Sequence, residues 1–329
     1  MRLINDSGPE AKSPAKARSW RYNQSTHFAD KIFSNSTLFF AVVIVGILLS
    51  LVIILAINAM PAINKFGFSF IGNSSWDAVR GVFGALPAIF GTLLSSAIGL
   101  LIAVPLSLGA AIFLVELAPP WLRGPASFVI EMLAAIPSVI IGLWGLFVLV
   151  PFVRKPIESW LGSKLGFLPL FQGPPFGVGF LAAGLILAIM VIPIITAMSR
   201  DAMRAVSTQQ REAMLALGAT RWEMIRQAVL PNCRSGLVGA VILGLGRALG
   251  ETMAVTMVIG NSYTISSSLF SPGSTIASKI ANEFSEASSG VFVGSLIELA
   301  LILFAITLVV NVIARVLLWR MTSLKGNME

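Results

Sequence analysis

The chain has 329 residues, of which 56% are hydrophobic and 12% are charged, and its formal net charge is +8. A soluble globular domain carries about 25% charged residues, so the composition excludes a soluble protein and indicates an integral membrane protein. The positive charge is typical of basic loops beside membrane spans, and we expect no nucleic-acid partner. A single cysteine, Cys233, excludes an internal disulfide bond.

Six apolar segments approach or exceed the roughly 20 residues that an α-helix needs to cross a bilayer. Alternating β-barrel patterning is absent, so the predicted fold is an all-α polytopic membrane protein with six transmembrane helices. The predicted spans are residues 38–60, 86–115, 128–152, 179–198, 236–260 and 291–319. The course of the second span around Pro105 stays open, because a proline permits either a kinked helix or a continuation beyond the membrane.

The connecting segments are polar and differ in character. Residues 1–37 form a basic tail that we expect to be mostly disordered. Residues 154–178 form a predicted Pro- and Gly-rich loop, and a short helix is expected near residues 276–284 within the Ser-rich connection 261–290. A short polar tail, residues 320–329, ends the chain.

Lysine and arginine are distributed unevenly between the two sides of these six spans. Sixteen of them lie in the two termini and in the connections after spans two and four, whereas six lie in the other three connections. The positive-inside rule therefore predicts that both termini are cytoplasmic.

Residues 199–235 form a long basic connection with helical periodicity. Met214, Leu217, Ile225 and Val229 supply its apolar positions. Gly218 predicts a break between two short helices, because glycine costs about 1 kcal/mol inside a helix. We expect Pro231 to end the second helix. On composition alone, an amphipathic segment lying on the membrane surface explains this connection equally well.

The spacing of Glu212-Ala213, Gly218 and Leu230-Pro231 resembles the EAA loop of ABC importer permeases. Met214 and Ala228 depart from the usual pattern but remain apolar. The resemblance implies a type I ABC importer permease core of the MetI-like kind over residues 86–319. It also implies that residues 199–235 dock as a helix–turn–helix on a cytoplasmic ATPase subunit and couple its closure to transport.

Two further stretches resemble phosphate-uptake permeases: GLGRALGETMAV at Gly244–Val255 and AIPSVIIGLWG at Ala135–Gly145. The GETMAV ending and the long first helix behind a basic tail look more like the PstC-type subunit than its PstA-type partner. The resemblance implies phosphate as substrate, a second homologous permease of the PstA type, PstB-type cytoplasmic ATPase subunits, an extracytoplasmic phosphate-binding protein, and a location in a bacterial inner membrane.

Arg247 and Glu251 lie within the predicted fifth span, where charges cost a few kcal/mol each and mark functional sites. Their spacing of four places them on one face of a helix. Arginine offers a planar donor fork suited to phosphate oxygens, so the pair is a candidate substrate pathway. The alternatives are a structural ion pair, or close helix packing at Gly246 and Gly250. Glu298, at a similar depth in the sixth span, is a further pathway candidate.

An enzyme is not expected, since the sequence holds no Walker A loop, HExxH or GxSxG motif and no visible catalytic or metal-ligand set. We expect no cofactor, and ATP hydrolysis would require a separate chain. Two alternatives remain: a permease for another oxyanion such as sulfate or molybdate, and a secondary transporter driven by an ion gradient.

Overall fold

The computed structural model describes the backbone of residues 24–323 and the side chains of residues 30–316. The main helices, in chain order, are α1 (Gln24–Phe66), α2 (Leu86–Leu117), α3 (Pro120–Ala134), α4 (Ser138–Leu165), α5 (Phe180–Arg204), α6 (Thr208–Ala216), α7 (Arg221–Gly250), α8 (Met253–Val258), α9 (Ile276–Glu283) and α10 (Gly290–Ser323). Short helical turns lie at Ser69–Gly72 and Pro169–Phe171. The described part of the chain contains no β-strand.

Six of these helices are long and apolar enough to cross a membrane: α1, α2, α4, α5, α7 and α10. This confirms the predicted all-α fold with six transmembrane helices. The chain divides into two compact units, Met1–Ile53 and Ile54–Glu329. In the first unit the described part of α1 exposes nearly all its side chains. The second unit contains the other nine helices.

The core of the second unit is built around α5. Phe180, Ile186, Leu187 and Ile195 on this helix are fully buried, and α2 and α7 pack along it. The α2–α5 contact is close because glycines face it. A Cβ added at Gly184 would collide with Ile98. Small residues at such contacts let membrane helices pack by dispersion without an aqueous hydrophobic effect.

α1 extends beyond the predicted first span at both ends. Residues 24–37, expected to belong to a mostly disordered tail, begin this helix, and the rest of that tail lies outside the described residues. The helix also continues past Pro61 to Phe66. A proline removes one backbone hydrogen bond without forbidding helix after it, and lipid strongly favours a helical backbone.

Both predicted boundaries of the third span, residues 128 and 152, were wrong. Helix α3 ends at Ala134, and a separate helix, α4, starts at Ser138. The break falls before Pro137, because proline disfavours helical backbone in the residue that precedes it. Helix α2 runs unbroken through Pro105 to Leu117, which resolves the course of the second span. The connection from Leu117 to α3, which starts at Pro120, is short.

Helix α4 also runs on to Leu165, through half of the predicted loop 154–178. Two π-helical turns, Gly145–Leu149 and Val153–Glu158, let the helix pass Pro151 and Pro156. A π turn widens the backbone where a proline lacks its N–H and crowds the preceding turn.

Pro231 does not end a helix, contrary to the prediction. A π turn at Ile225–Val229 precedes it, and α7 runs without interruption from Arg221 to Gly250. The chain leaves helical conformation at Glu251, in the middle of the predicted fifth span, and α8 starts at Met253. The fifth span is therefore one long helix followed by a short, separate one.

The end of the bundle formed by residues 62–84 and 261–289 is held together around Lys279. Its ammonium nitrogen lies 4.9 Å from the ring centroid of Trp76 and 4.3 Å from that of Tyr263, and it pairs with Glu283. The indole of Trp76 donates a hydrogen bond to the same carboxylate. Burial lowers the pKa of Lys279, while the hydrogen bond to Glu283 opposes that change. The predicted short helix of this region is confirmed as α9.

Candidate transport site and coupling segment

We call residues 199–235 the coupling segment, and its two helices are joined by a sharp turn at Gly218. The amide of Gly218 donates to Leu215 O, and the amide of Ala219 donates to Met214 O. This is the Schellman pattern, which needs a left-handed residue at the helix end, and Gly218 has φ +83°. Glycine adopts this conformation without the steric penalty of a Cβ. The predicted break at Gly218 is confirmed.

Both helices of the coupling segment have side-chain caps at their N-termini. Ser207 accepts a hydrogen bond from the Gln210 amide at the start of α6. Thr220 and Glu223 form a reciprocal capping box at the start of α7. Such caps contribute about 1 kcal/mol each, so the turn has a defined geometry on both sides.

The two faces of α6 differ in exposure. Glu212 and Ala213 are exposed, as is Leu217, whose side chain is 83% accessible. Leu217 was expected on the apolar inner face, and the structure places it outside. Met214 points inward, towards an apolar cluster that joins the ends of α2, α5 and α7: Ala111, Met203, Val206, Met224, Ile225, Val229 and Cys233. We call this apolar cluster the base of the coupling segment, and α6 packs on it while keeping its other face exposed.

Arg211 connects the elements of this base, and no pattern in the sequence marked it as functional. Its guanidinium donates two hydrogen bonds to Glu116 Oε1, at 3.1 and 3.0 Å, and others to the carbonyl oxygens of Met203 and Val206. The side chains of Arg211 and Glu116 are only 16% and 6% exposed. One arginine therefore connects α6 to the ends of α2 and α5. The sequence signal that could have revealed this contact was Glu116, a carboxylate directly after the apolar second span.

A second arginine links α5 to α3. The guanidinium of Arg200 lies 3.0 Å from a carboxylate oxygen of Glu131 and 3.0 Å from one of Asp201, and its side chain is 7% exposed. Glu131 thus belongs to an ion-pair network at this end of the bundle.

Arg247 and Glu251 meet where α7 ends. Arg247 Nη2 lies 3.6 Å from Glu251 Oε2. Glu251 is not on the helical face that was predicted, because its backbone is extended, with ψ 127°. Its other carboxylate oxygen accepts the Ala254 amide at 3.5 Å, a long contact at the start of α8. The carboxylate is 6% exposed and the arginine side chain 43%, so only the cation reaches the surface of the chain.

The helix face around Arg247 is open at its two glycines. A Cβ added at Gly246 or Gly250 would have no atom of the described residues within 4 Å. These glycines therefore do not mediate helix packing within the described part of the chain. Together with the exposed side chains of Leu243 and Arg247, they form one open face of α7.

Glu298 is not joined to this pair. It is buried, at 8% exposure, in α10. Among the described residues, no hydrogen bond or ion pair connects it to Arg247 or Glu251, and its Oε2 atom has no hydrogen-bond partner. The structure thus brings two of the three predicted pathway residues together.

Residues 103–323 match the profile of the family described as the binding-protein-dependent transport system inner membrane component. The match covers more than half of the chain. The chain belongs to this family. This inner membrane component is accordingly a multi-pass membrane protein and a transport subunit.

Two relatives of this inner membrane component are similar to it over nearly their whole length. The phosphate transport system permease protein PstC of Haemophilus influenzae is 48% identical over 309 residues, which cover 93% of this chain and 97% of the relative. The PstC protein of Mesorhizobium japonicum is 44% identical over 330 residues, covering 99% and 100%. A solved bacterial ABC transporter involved in alginate import shares the fold, with TM-score 0.56, 17% identity, and coverage of 88% of this chain and 98% of that one.

Proposed function

We propose that this inner membrane component is one of two transmembrane permeases in an ATP-driven importer of inorganic phosphate. The similarity to PstC proteins over more than nine-tenths of both chains carries this proposal. The expected partners are a PstA-type permease, PstB-type ATPase subunits that hydrolyse ATP, and an extracytoplasmic phosphate-binding protein. The basic residues favour cytoplasmic termini and a cytoplasmic coupling segment.

Arg247 is the residue that we assign to phosphate. Its guanidinium is permanently charged and carries a planar set of donors that fits two phosphate oxygens. It stands on the open face of α7, beside glycines that leave room for an anion. Glu251 offsets the arginine's charge from a buried position, which limits how tightly the anion is held. We also assign Glu298 to the pathway, because it is buried in α10 and its Oε2 atom has no hydrogen-bond partner among the described residues.

The continuous helix α7 supports a direct route for coupling. It starts in the coupling segment at Arg221 and reaches Arg247 without a break, a distance of about 39 Å at 1.5 Å per residue. We propose that the ATPase docks on the exposed face of α6 at Glu212, Ala213 and the Gly218 turn. Closure of the ATPase then moves α7 as one rigid helix that continues through Leu230 and Pro231. This movement opens the pathway at Arg247 alternately to each side of the membrane.

The test is substrate-specific uptake by the assembled complex. The chain is purified with its partners, reconstituted with the binding protein, and supplied with ATP. We expect ATP-dependent uptake of labelled phosphate that excess sulfate or molybdate does not reduce. Uptake of sulfate or molybdate instead would reassign the substrate, and phosphate uptake that an ion gradient drives without ATP would overturn the importer.

A further inference from the structure

We propose that a cavity beside the coupling segment binds a phosphate group, carried either by an anionic phospholipid or by free inorganic phosphate. The cavity has a volume of about 350 Å³. It lies between the end of α2, the first turns of α3, the end of α5 and the start of α6. Its polar lining is Glu116, Arg123, Arg204, Thr208 and Arg211. This site is separate from Arg247, and none of its residues is among those assigned to the transport pathway.

The cavity has an excess of positive charge. Glu116 is neutralised by Arg211, which lies 3.0 Å away. Arg123 and Arg204 have no carboxylate within 4 Å among the described residues. By contrast, Arg200 on the same end of the bundle contacts two carboxylates. Two arginines thus line one concave space without a counter-ion from the described part of the chain.

The free donors suit a phosphate group. Arg123 uses Nε to bind the Ala118 carbonyl oxygen at 2.8 Å, which leaves both of its terminal nitrogens for a ligand. Arg204 is exposed and offers a second guanidinium group with its planar set of N–H donors, and Thr208 adds a hydroxyl group. Guanidinium groups bind phosphate oxygens in pairs through short, charge-assisted hydrogen bonds. Basic pockets between transmembrane helices on the cytoplasmic side are typical sites for anionic headgroups.

Helix α3 extends the site with an apolar surface. Trp121 and Phe128 on this helix are 75% and 61% exposed, and Val129 and Met132 continue the stripe. Tryptophan is favoured at the membrane–water interface. A phospholipid whose headgroup enters the cavity has a surface here on which its acyl chains can lie. Its phosphate group would then stand beside Arg211, which holds the coupling segment.

Arginine modification with phenylglyoxal tests the site residue by residue. The assembled complex is treated in vesicles of phosphatidylcholine, in the same vesicles with inorganic phosphate, and in vesicles that also contain phosphatidylglycerol. Peptide mass spectrometry then compares Arg123 and Arg204 with Arg221 and Arg226, which are exposed outside the cavity. We expect several-fold slower modification of the cavity pair when the ligand is present, with no change at the two control positions.

The arms of the experiment separate the sources. Protection by phosphatidylglycerol alone identifies a lipid headgroup, and protection by inorganic phosphate in phosphatidylcholine identifies free phosphate. Arg204→Gln should weaken the protection of Arg123 about fivefold, the contribution of one basic residue at an anionic surface. Equal modification under all three conditions would overturn the site. Slow modification of Arg123 and Arg204 in phosphatidylcholine vesicles without phosphate would also overturn the site, because another protein would then be covering the cavity.

Discussion

The guanidinium of Arg211 and the carboxylate of Glu116, 95 positions apart in the chain, form a largely buried ion pair at 3.0 Å. The same guanidinium binds two backbone carbonyl oxygens near the end of α5. We therefore expect a displacement of α6 to reach α2 and α5 through this one side chain, in parallel with the movement proposed for α7.

Arg211→Lys should uncouple ATP hydrolysis from transport. Lysine keeps the charge, but its single ammonium group cannot reach Glu116 and both carbonyl oxygens together. We expect an assembled complex whose uptake per ATP hydrolysed falls several-fold in proteoliposomes. Arg226→Lys, at an exposed position of the same segment, is the matched control and should leave the ratio unchanged. An unchanged ratio in Arg211→Lys would show that the pair is only a structural support.

Arg247→Lys should reduce phosphate uptake by roughly tenfold, which corresponds to about 1.4 kcal/mol. The variant keeps the charge beside Glu251 but loses the donor fork. Uptake and the amount of assembled complex in the membrane are measured together. Arg234→Lys, on the same helix and away from the break, serves as the control and should transport normally.

The combined variant Arg247→Met with Glu251→Gln separates the pathway role from a structural pair. It removes both charges at once, so the buried carboxylate of Glu251 is not left without its counter-ion, which would be costly. Glutamine also retains an acceptor for the Ala254 amide, which a methionine at this position would lose. We expect normal assembly without phosphate uptake. Normal uptake would mean that the pair only supports the end of α7.

Gly218→Val should weaken coupling, because a β-branched residue is strained at φ +83°. The left-handed conformation costs about 1–2 kcal/mol for a residue with a Cβ. Space is not the cause, since an added Cβ at Gly218 would meet no atom of the described residues within 4 Å. Gly218→Asn is the control, because asparagine tolerates this conformation. Binding of the ATPase and uptake per ATP should fall only in the valine variant, and equal losses in both would exclude the backbone explanation.

The topology is tested by labelling single cysteines in a Cys233→Ala background. Ser267 and Gln209 are both exposed, so both should react once a reagent reaches their side of the membrane. An impermeant maleimide added to intact spheroplasts should label Ser267→Cys and leave Gln209→Cys unlabelled until the membrane is opened. The reverse order would place the coupling segment outside and contradict cytoplasmic termini.

The sequence by itself determined the number of spans and the position of the coupling segment. Both depend on local properties of the chain. Hydropathy over about 20 residues decides whether a helix can cross a bilayer, and the Gly218 turn depends on a backbone conformation that glycine adopts cheaply. Arg247 and Glu251 were also found locally, because charges are rare in apolar spans.

The tertiary structure alone decided where helices continue and which distant side chains meet. The sequence predicted helix ends at Pro61 and Pro231 and placed Pro156 in a loop, yet the chain passes each of them as helix. Surrounding packing and π turns compensate for the missing hydrogen bond, and a local pattern contains neither. The Arg211–Glu116 pair and the basic cavity around it depend on three helix ends converging in space. No spacing within one segment encodes that convergence, because it results from how α2, α5 and α6 pack together.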